Sequence, residues 1–150
     1  PYTTLFRSNF VLQMDEISNT SEKRIIFYDG DCGFCNSSVQ FILNHRKKTF
    51  YFAALQSDFA KEKIEKDEGE KIEMNTLYYL DHGKLFQKST AVLRISKGLK
   101  GGYPLFYYVG IIFPRFIRDK VYDFVAKRRH KIQPDLCAMP TEEERKFFLG

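Results

Sequence analysis

The stretch Arg24-Ile25-Ile26-Phe27-Tyr28-Asp29-Gly30-Asp31-Cys32-Gly33-Phe34-Cys35-Asn36 carries most of the information about the fold. Its first part, Ile25 to Tyr28, is apolar and β-prone and stops at Asp-Gly. That pattern fits a central strand buried on both faces. Beyond the turn, Cys35, Val39, Ile42 and Arg46 recur at i, i+4, i+7 and i+11, with Leu43 widening the stripe. This spacing predicts an amphipathic helix from about Gly33 to Lys47. Two cysteines therefore stand at a strand-to-helix turn with C-x-x-C spacing.

Working outward, Phe50–Leu55 reads as a second strand, and Ser57 or Asp58 as the cap of a charged helix running to about Asp67. Thr76–Leu80 and Lys84–Gln87, joined by Asp81-His82-Gly83, read as a β-hairpin. A third helix is expected from a Ser89 or Thr90 cap, with Val92, Ile95 and Leu99 on one face. Two more are expected over about 104–113 and 114–129, separated by Pro114. Thr141-Glu142-Glu143-Glu144 fits a capping box that opens a short last helix. The order β-α-β-α-β-β-α implies an α/β layer architecture, in which the first helix is the crossover between parallel strands.

The chain has 150 residues, enough for one domain with a sizeable core. Three cysteines exclude a disulfide scaffold, and Leu105–Phe113 is too short an apolar run to cross a membrane. Residues 1–8 resemble the translation of a sequencing adapter. Residues 1–13 are accordingly read as a non-native leader before an initiating Met14, with 14–23 as a flexible N-terminus and 24–150 as one domain. No signal peptide is recognised, so a cytoplasmic, thiol-reducing setting is expected.

The net charge of +5 is uneven. Residues 1–75 carry 10 Lys/Arg against 12 Asp/Glu, and residues 76–150 carry 14 against 7. Between Lys84 and Lys131 only Asp119 and Asp123 oppose 12 basic residues. A nucleic-acid partner is not expected, because no recognition motif accompanies the charge. A membrane surface is a candidate contact that the pattern does not favour: Ile117, Val121, Phe124 and Val125 recur at helical spacing and read as a core face.

The chemistry centres on Cys32 and Cys35. Cys32 falls at the helix start, where free N–H groups and the helix dipole favour a thiolate. Cys35, one turn on, reads as the shielded partner. The pair thus reads as an exposed nucleophile and a buried resolving thiol. Gly33 relieves the turn, Phe34 offers an apolar lip, Asp31 supplies a local cap, and all three are candidate substrate-binding residues. Asp29 reads either as a base for the Cys35 thiol or as a turn residue bonding the backbone. A zinc site is the weaker reading, since His45, His82, His130 and Cys137 form no second close pair, and so no metal or cofactor is expected. Cys137 reads as a buried bystander or a third redox thiol.

The block Phe-Tyr-Asp-Gly-Asp-Cys-Gly-Phe-Cys-Asn (27–36) resembles the signature of the DCC family of thiol-disulfide oxidoreductases, also called DUF393. The resemblance continues through Phe52–Ser57, Gly83, Lys88–Ala91, Pro114–Tyr122 and Cys137–Thr141. It implies a thioredoxin-like three-layer fold with extra C-terminal helices, Cys32 and Cys35 as the redox pair, and Asp29 as the signature acid. The implied partners are a disulfide-containing protein or low-molecular-weight thiol, with a separate reductant or oxidant. Thioredoxin-like proteins usually place a cis-proline opposite the C-x-x-C. The equivalent stretch here, Glu73-Met74-Asn75-Thr76, has no proline. A non-catalytic binding module using the basic, aromatic C-terminal region is the alternative.

Overall fold

The computed structural model describes residues 22–132 and 140–149. The readings of 1–13, most of 14–23, and Cys137 lie outside the described residues. The strands are β1 (Arg24–Tyr28), β2 (Tyr51–Ala54), β3 (Tyr78–Asp81) and β4 (Lys84–Gln87), in sheet order β2-β1-β3-β4. β1 pairs parallel with β2 and antiparallel with β3, and β3 pairs antiparallel with β4. Between β1 and β2 runs α1 (Gly33–His45), the crossover that parallel pairing requires.

Side chains of the central strand alternate between two cores. Ile26 joins Val39, Ile42 and Leu43 of α1, and Ala91 and Ile95 of α3 (Lys88–Ser96), on one face. Ile25 and Phe27 join Ala60 and Ile64 on the other. Ala60 ends α2 (Asp58–Ala60), which widens into a π-helical segment, Lys61–Asp67, bearing Ile64. The result is a thioredoxin-like α/β fold with helices on both faces of the sheet. Ser57 is the cap of α2, its Oγ accepting from Ala60 N at 3.2 Å.

The hairpin turn consists of His82 and Gly83, both at positive φ (47° and 77°). Such a two-residue turn matches the twist of the flanking strands, which is why Gly stands there. α3 begins differently from expectation. Ser89 and Thr90 are not its cap: the helix starts at Lys88, itself at φ 52°. Its backbone N donates to Leu77 O at 3.0 Å, and its Nζ pairs with Asp123 at 3.2 Å. Ser89 Oγ donates instead to Asp119, so both residues tie α3 to a later helix.

That later helix is α5 (Arg115–Ile132), which follows α4 (Pro104–Ile112) after Phe113-Pro114. Both pack on α3. Gly110 permits the approach of α4, because a Cβ there would lie 2.5 Å from Leu93 Cδ2. The expected core face of α5 is not found. Ile117, Val121, Phe124 and Val125 are all exposed, and α4 buries no residue at all. Spacing showed that these side chains share a face, but α5 turns its other side, where Ala126 and Arg129 are buried, toward α3 and α1.

At the C-terminus the expected capping box forms. Thr141 N donates to Glu144 Oε2 at 2.9 Å, and Glu144 N donates to Thr141 Oγ1 at 3.3 Å. A single 3-10 turn (Arg145–Phe147) follows rather than an α-helix. Phe148 then lies beside Phe52 of β2, where Leu149 N donates to Phe52 O at 2.7 Å. Among the described residues no helix is long and apolar enough to cross a membrane.

Candidate active site

The site is built at the end of β1. Leu55 N donates to Tyr28 O at 2.8 Å, the last β2–β1 link before the chain turns. Asp29 Oδ1 accepts from Asp31 N at 3.1 Å, a side-chain-closed turn of the kind Asp favours. Cys32 then takes the N-cap position of α1 with extended backbone, and its carbonyl accepts the first helical bond, from Asn36 N at 3.0 Å. No side chain caps this helix. Asp31 is therefore not the expected cap; its Oδ2 accepts from Gln56 Nε2 at 3.2 Å.

Cys32 and Cys35 are brought together as free thiols, but their exposures are the reverse of expectation. Cys32 is fully buried at 0% exposure, whereas Cys35 is partly exposed. Cys32 sits at the N-cap of α1 and Cys35 within its first turn. Burial pushes the Cys35 thiol up to about 12, reinforced by its hydrogen bond with Cys32 and opposed by Arg129. Burial likewise raises Tyr28, with Cys35 as the second cause.

Arg129 is the residue that sequence reasoning missed. It is nine-tenths buried, 94 residues from Cys35 in the chain, and links three parts of the site. Its Nη2 donates to Asp29 Oδ2 at 2.8 Å and to Met74 O at 2.7 Å, and its Nη1 to Cys35 Sγ at 3.5 Å. The proline-free stretch 73–76 thus approaches the cysteine pair through the arginine. Gln56 completes the cluster. Its Nε2 donates to Asp29 Oδ1 at 2.8 Å, and its Oε1 accepts from Gly30 N at 3.1 Å. Gly30 fits closely here: a Cβ would come within 3.3 Å of both Ala54 Cβ and Gln56 Oε1. Asp29 accordingly performs the turn role and also forms a buried ion pair that the sequence reading did not include.

Cys35 borders a cavity of about 720 Å³, lined mainly by apolar side chains and walled by Phe34, Leu77, Ile95 and Tyr122 near the arginine. That volume lies within the roughly 300–1,000 Å³ range of small-molecule sites. Phe34 is half-buried in the wall, and Gly33 opens α1 beside it. Tyr122 Oη accepts from Leu77 N at 2.8 Å, holding α5 against the segment before β3.

A thiol pair at a strand-to-helix turn, with an acid one turn before it, is matched by one family description. DCC1-like thiol-disulfide oxidoreductase matches residues 26–134, which contain the whole cluster from Asp29 to Arg129. The chain belongs to the DCC1-like thiol-disulfide oxidoreductase family. Among its DCC relatives, the Bacillus subtilis protein YuxK, uncharacterised by name, is 31% identical over 87% of this chain and 98% of its own length. A chloroplastic DCC family protein of Arabidopsis thaliana is 26% identical over 87% of this chain and 78% of its own length. No solved structure matches the chain. Within this DCC1-like domain the residues named from the sequence, Asp29, Asp31, Cys32, Gly33, Phe34 and Cys35, lie in one turn and the helix it opens. Gln56 was visible only as part of the family resemblance. Arg129 had no local signal beyond its place in a basic stretch.

Proposed function

We propose that this chain performs dithiol–disulfide exchange through Cys32 and Cys35, with Cys32 as the attacking thiolate. The observation that carries this reading is the cluster in which Arg129 joins Asp29 Oδ2 to Cys35 Sγ beside the helix start occupied by Cys32. Cys35, at about 12, holds its proton near neutral pH. Cys32 occupies the helix N-cap while Cys35 keeps its proton, so the first attack is assigned to Cys32. Because Cys32 is buried, a substrate entering beside Phe34 must displace part of what covers it.

In this scheme Cys32 Sγ attacks one sulfur of a substrate disulfide. The substrate S–S bond breaks, a mixed disulfide forms, and the first substrate thiol leaves with a proton. Cys35 then attacks Cys32 Sγ, and its proton departs with the second substrate thiol. Two electrons have passed to the substrate, and a Cys32–Cys35 disulfide remains for a separate reductant to open. A separate oxidant runs the cycle in reverse. Arg129 places positive charge beside Cys35 Sγ as that thiolate develops, and Asp29 and Gln56 hold the arginine and the turn in position. The substrate is a disulfide-containing protein or a low-molecular-weight thiol, in a cytoplasmic setting that keeps thiols reduced.

The test is a glutathione redox titration read by thiol labelling, together with trapping by single variants. Cys35→Ser should accumulate a mixed disulfide with substrate, and Cys32→Ser should not. A couple near about −270 mV would act as a reductant and one near about −120 mV as an oxidant. Absence of any Cys32–Cys35 disulfide across the titration would sink the reading. Trapping by Cys32→Ser alone would overturn the assignment of roles.

A further inference from the structure

The redox reading makes no use of the α4–α5 corner. α4 buries no residue, and the stretch 104–113 carries no charge. At the corner, Ile112, Phe113 and Phe116 are 78%, 53% and 66% exposed. Leu105 and Phe106 on α4, and Val121 and Phe124 on α5, extend the same exposed apolar surface. Monomeric proteins rarely leave contiguous apolar surface of this kind uncovered, and where they do it marks an interaction site.

The charges around it say what covers it. On α5 the exposed cations Lys120, Lys127 and Arg128 recur at helical spacing on the side that carries Phe116, Val121 and Phe124. Arg128 stacks on the Phe124 ring at 4.1 Å. The only acids between Lys84 and Lys131 are turned toward α3: Asp119 accepts from Ser89, and Asp123 pairs with Lys88 at 3.2 Å. Among the described residues the outward surface therefore combines aromatic and aliphatic groups with positive charge that no ion pair offsets. Two copies meeting through it would bring these cations together at a cost, whereas an anionic lipid surface satisfies both components. No described helix can cross a bilayer, so the corner would lie within the interface.

We propose that the α4–α5 corner is a docking surface for anionic phospholipid membranes. Ile112, Phe113 and Phe116 enter the acyl region, and Lys120, Lys127 and Arg128 meet headgroup phosphates. Phe106, Val121 and Val125 also line the cavity that reaches Cys35, so docking brings the mouth of that cavity to the lipid surface.

The chain has no tryptophan, so Phe113→Trp supplies a single reporter. Its emission should shift to the blue with vesicles of phosphatidylcholine plus phosphatidylglycerol, and bromine-labelled acyl chains should quench it. Both effects should weaken as salt is raised. The unsubstituted protein should float with the same vesicles. Lys120→Glu/Lys127→Glu should lower partitioning by about tenfold or more, and Ile112→Glu should remove the quenching, with circular-dichroism melts unchanged because these side chains are exposed. The proposal is overturned if neither vesicle type binds, or if phosphatidylcholine alone binds equally well. It is also overturned if the reporter is already blue-shifted without lipid. A concentration-dependent mass would then identify a second copy as the cover, and a constant monomer mass would identify another segment of this chain.

Discussion

α1 and α5 are both amphipathic by spacing, yet they use their apolar faces in opposite ways. α1 lies on the sheet and buries Val39, Ile42 and Leu43 against Ile26 and Phe52. α5 packs on α3 and α1 and buries Ala126 and Arg129, leaving Phe116, Ile117, Val121 and Phe124 outside. Periodicity identifies which residues share a face. It does not say whether the rest of the chain supplies a surface to cover that face. α1 is committed because it must cross between two parallel strands. α5 has no such constraint, and its fixed contact is a polar one, Arg129 in the cysteine cluster.

The largest expected effect follows from that polar anchor. Arg129→Leu leaves Asp29 buried without its ion-pair partner, a change that costs about 3–5 kcal/mol where one member of a buried pair is removed. Urea unfolding measures it. A loss below about 1 kcal/mol would show that α5 is not held through the site, and the contrast with α1 would fail.

Truncations on the two apolar faces should differ next. Leu43→Ala, in the core beneath α1, should cost about 2–5 kcal/mol. Phe116→Ala, on the exposed face of α5, should stay within about 0.5 kcal/mol. Equal losses in urea would mean that the face of α5 is covered in the folded protein.

The smallest effect is a pH slope. The Cys35 thiol is raised from its ordinary value to about 12 in the fold. Below its unfolded pKa, about 8.5, both states are protonated and the stability owed to the buried thiol is fully present. Above that point the unfolded chain releases the proton while the fold retains it, so stability falls as pH rises toward about 12. Denaturation at pH values between about 8 and 9.5 should show a steeper decline for the parent than for Cys35→Ala, in a window below the buried tyrosines. Parallel declines would mean that Cys35 is more open than its surroundings indicate.

Much of the site was legible because it is local. A strand, an Asp-Gly turn and two cysteines one helical turn apart lie within a dozen residues, and backbone geometry alone brings them together. The same holds for the Ser57 cap, the His82-Gly83 turn and the Thr141–Glu144 box, whose bonds span two or three residues. Arg129 was not legible, since its three partners come from β1's end, α1 and the segment before β3. Nor was the order of cysteine burial. Whether Cys32 or Cys35 faces out depends on what packs around the turn, and that turn is held through Asp29 by Gln56 and Arg129 from distant parts of the chain.

Sequence by itself determined the strand-turn-helix unit, the parallel crossover, the hairpin and the placing of two cysteines together at the turn. Each is set by short-range sterics, hydrogen bonding and a two- or 3.6-residue period. Only the tertiary structure decided which thiol is sheltered, which distant cation stands beside it, and which apolar helix face meets solvent. Those depend on surfaces contributed by residues far apart in the chain, and burial is a property of the surroundings rather than of the residue.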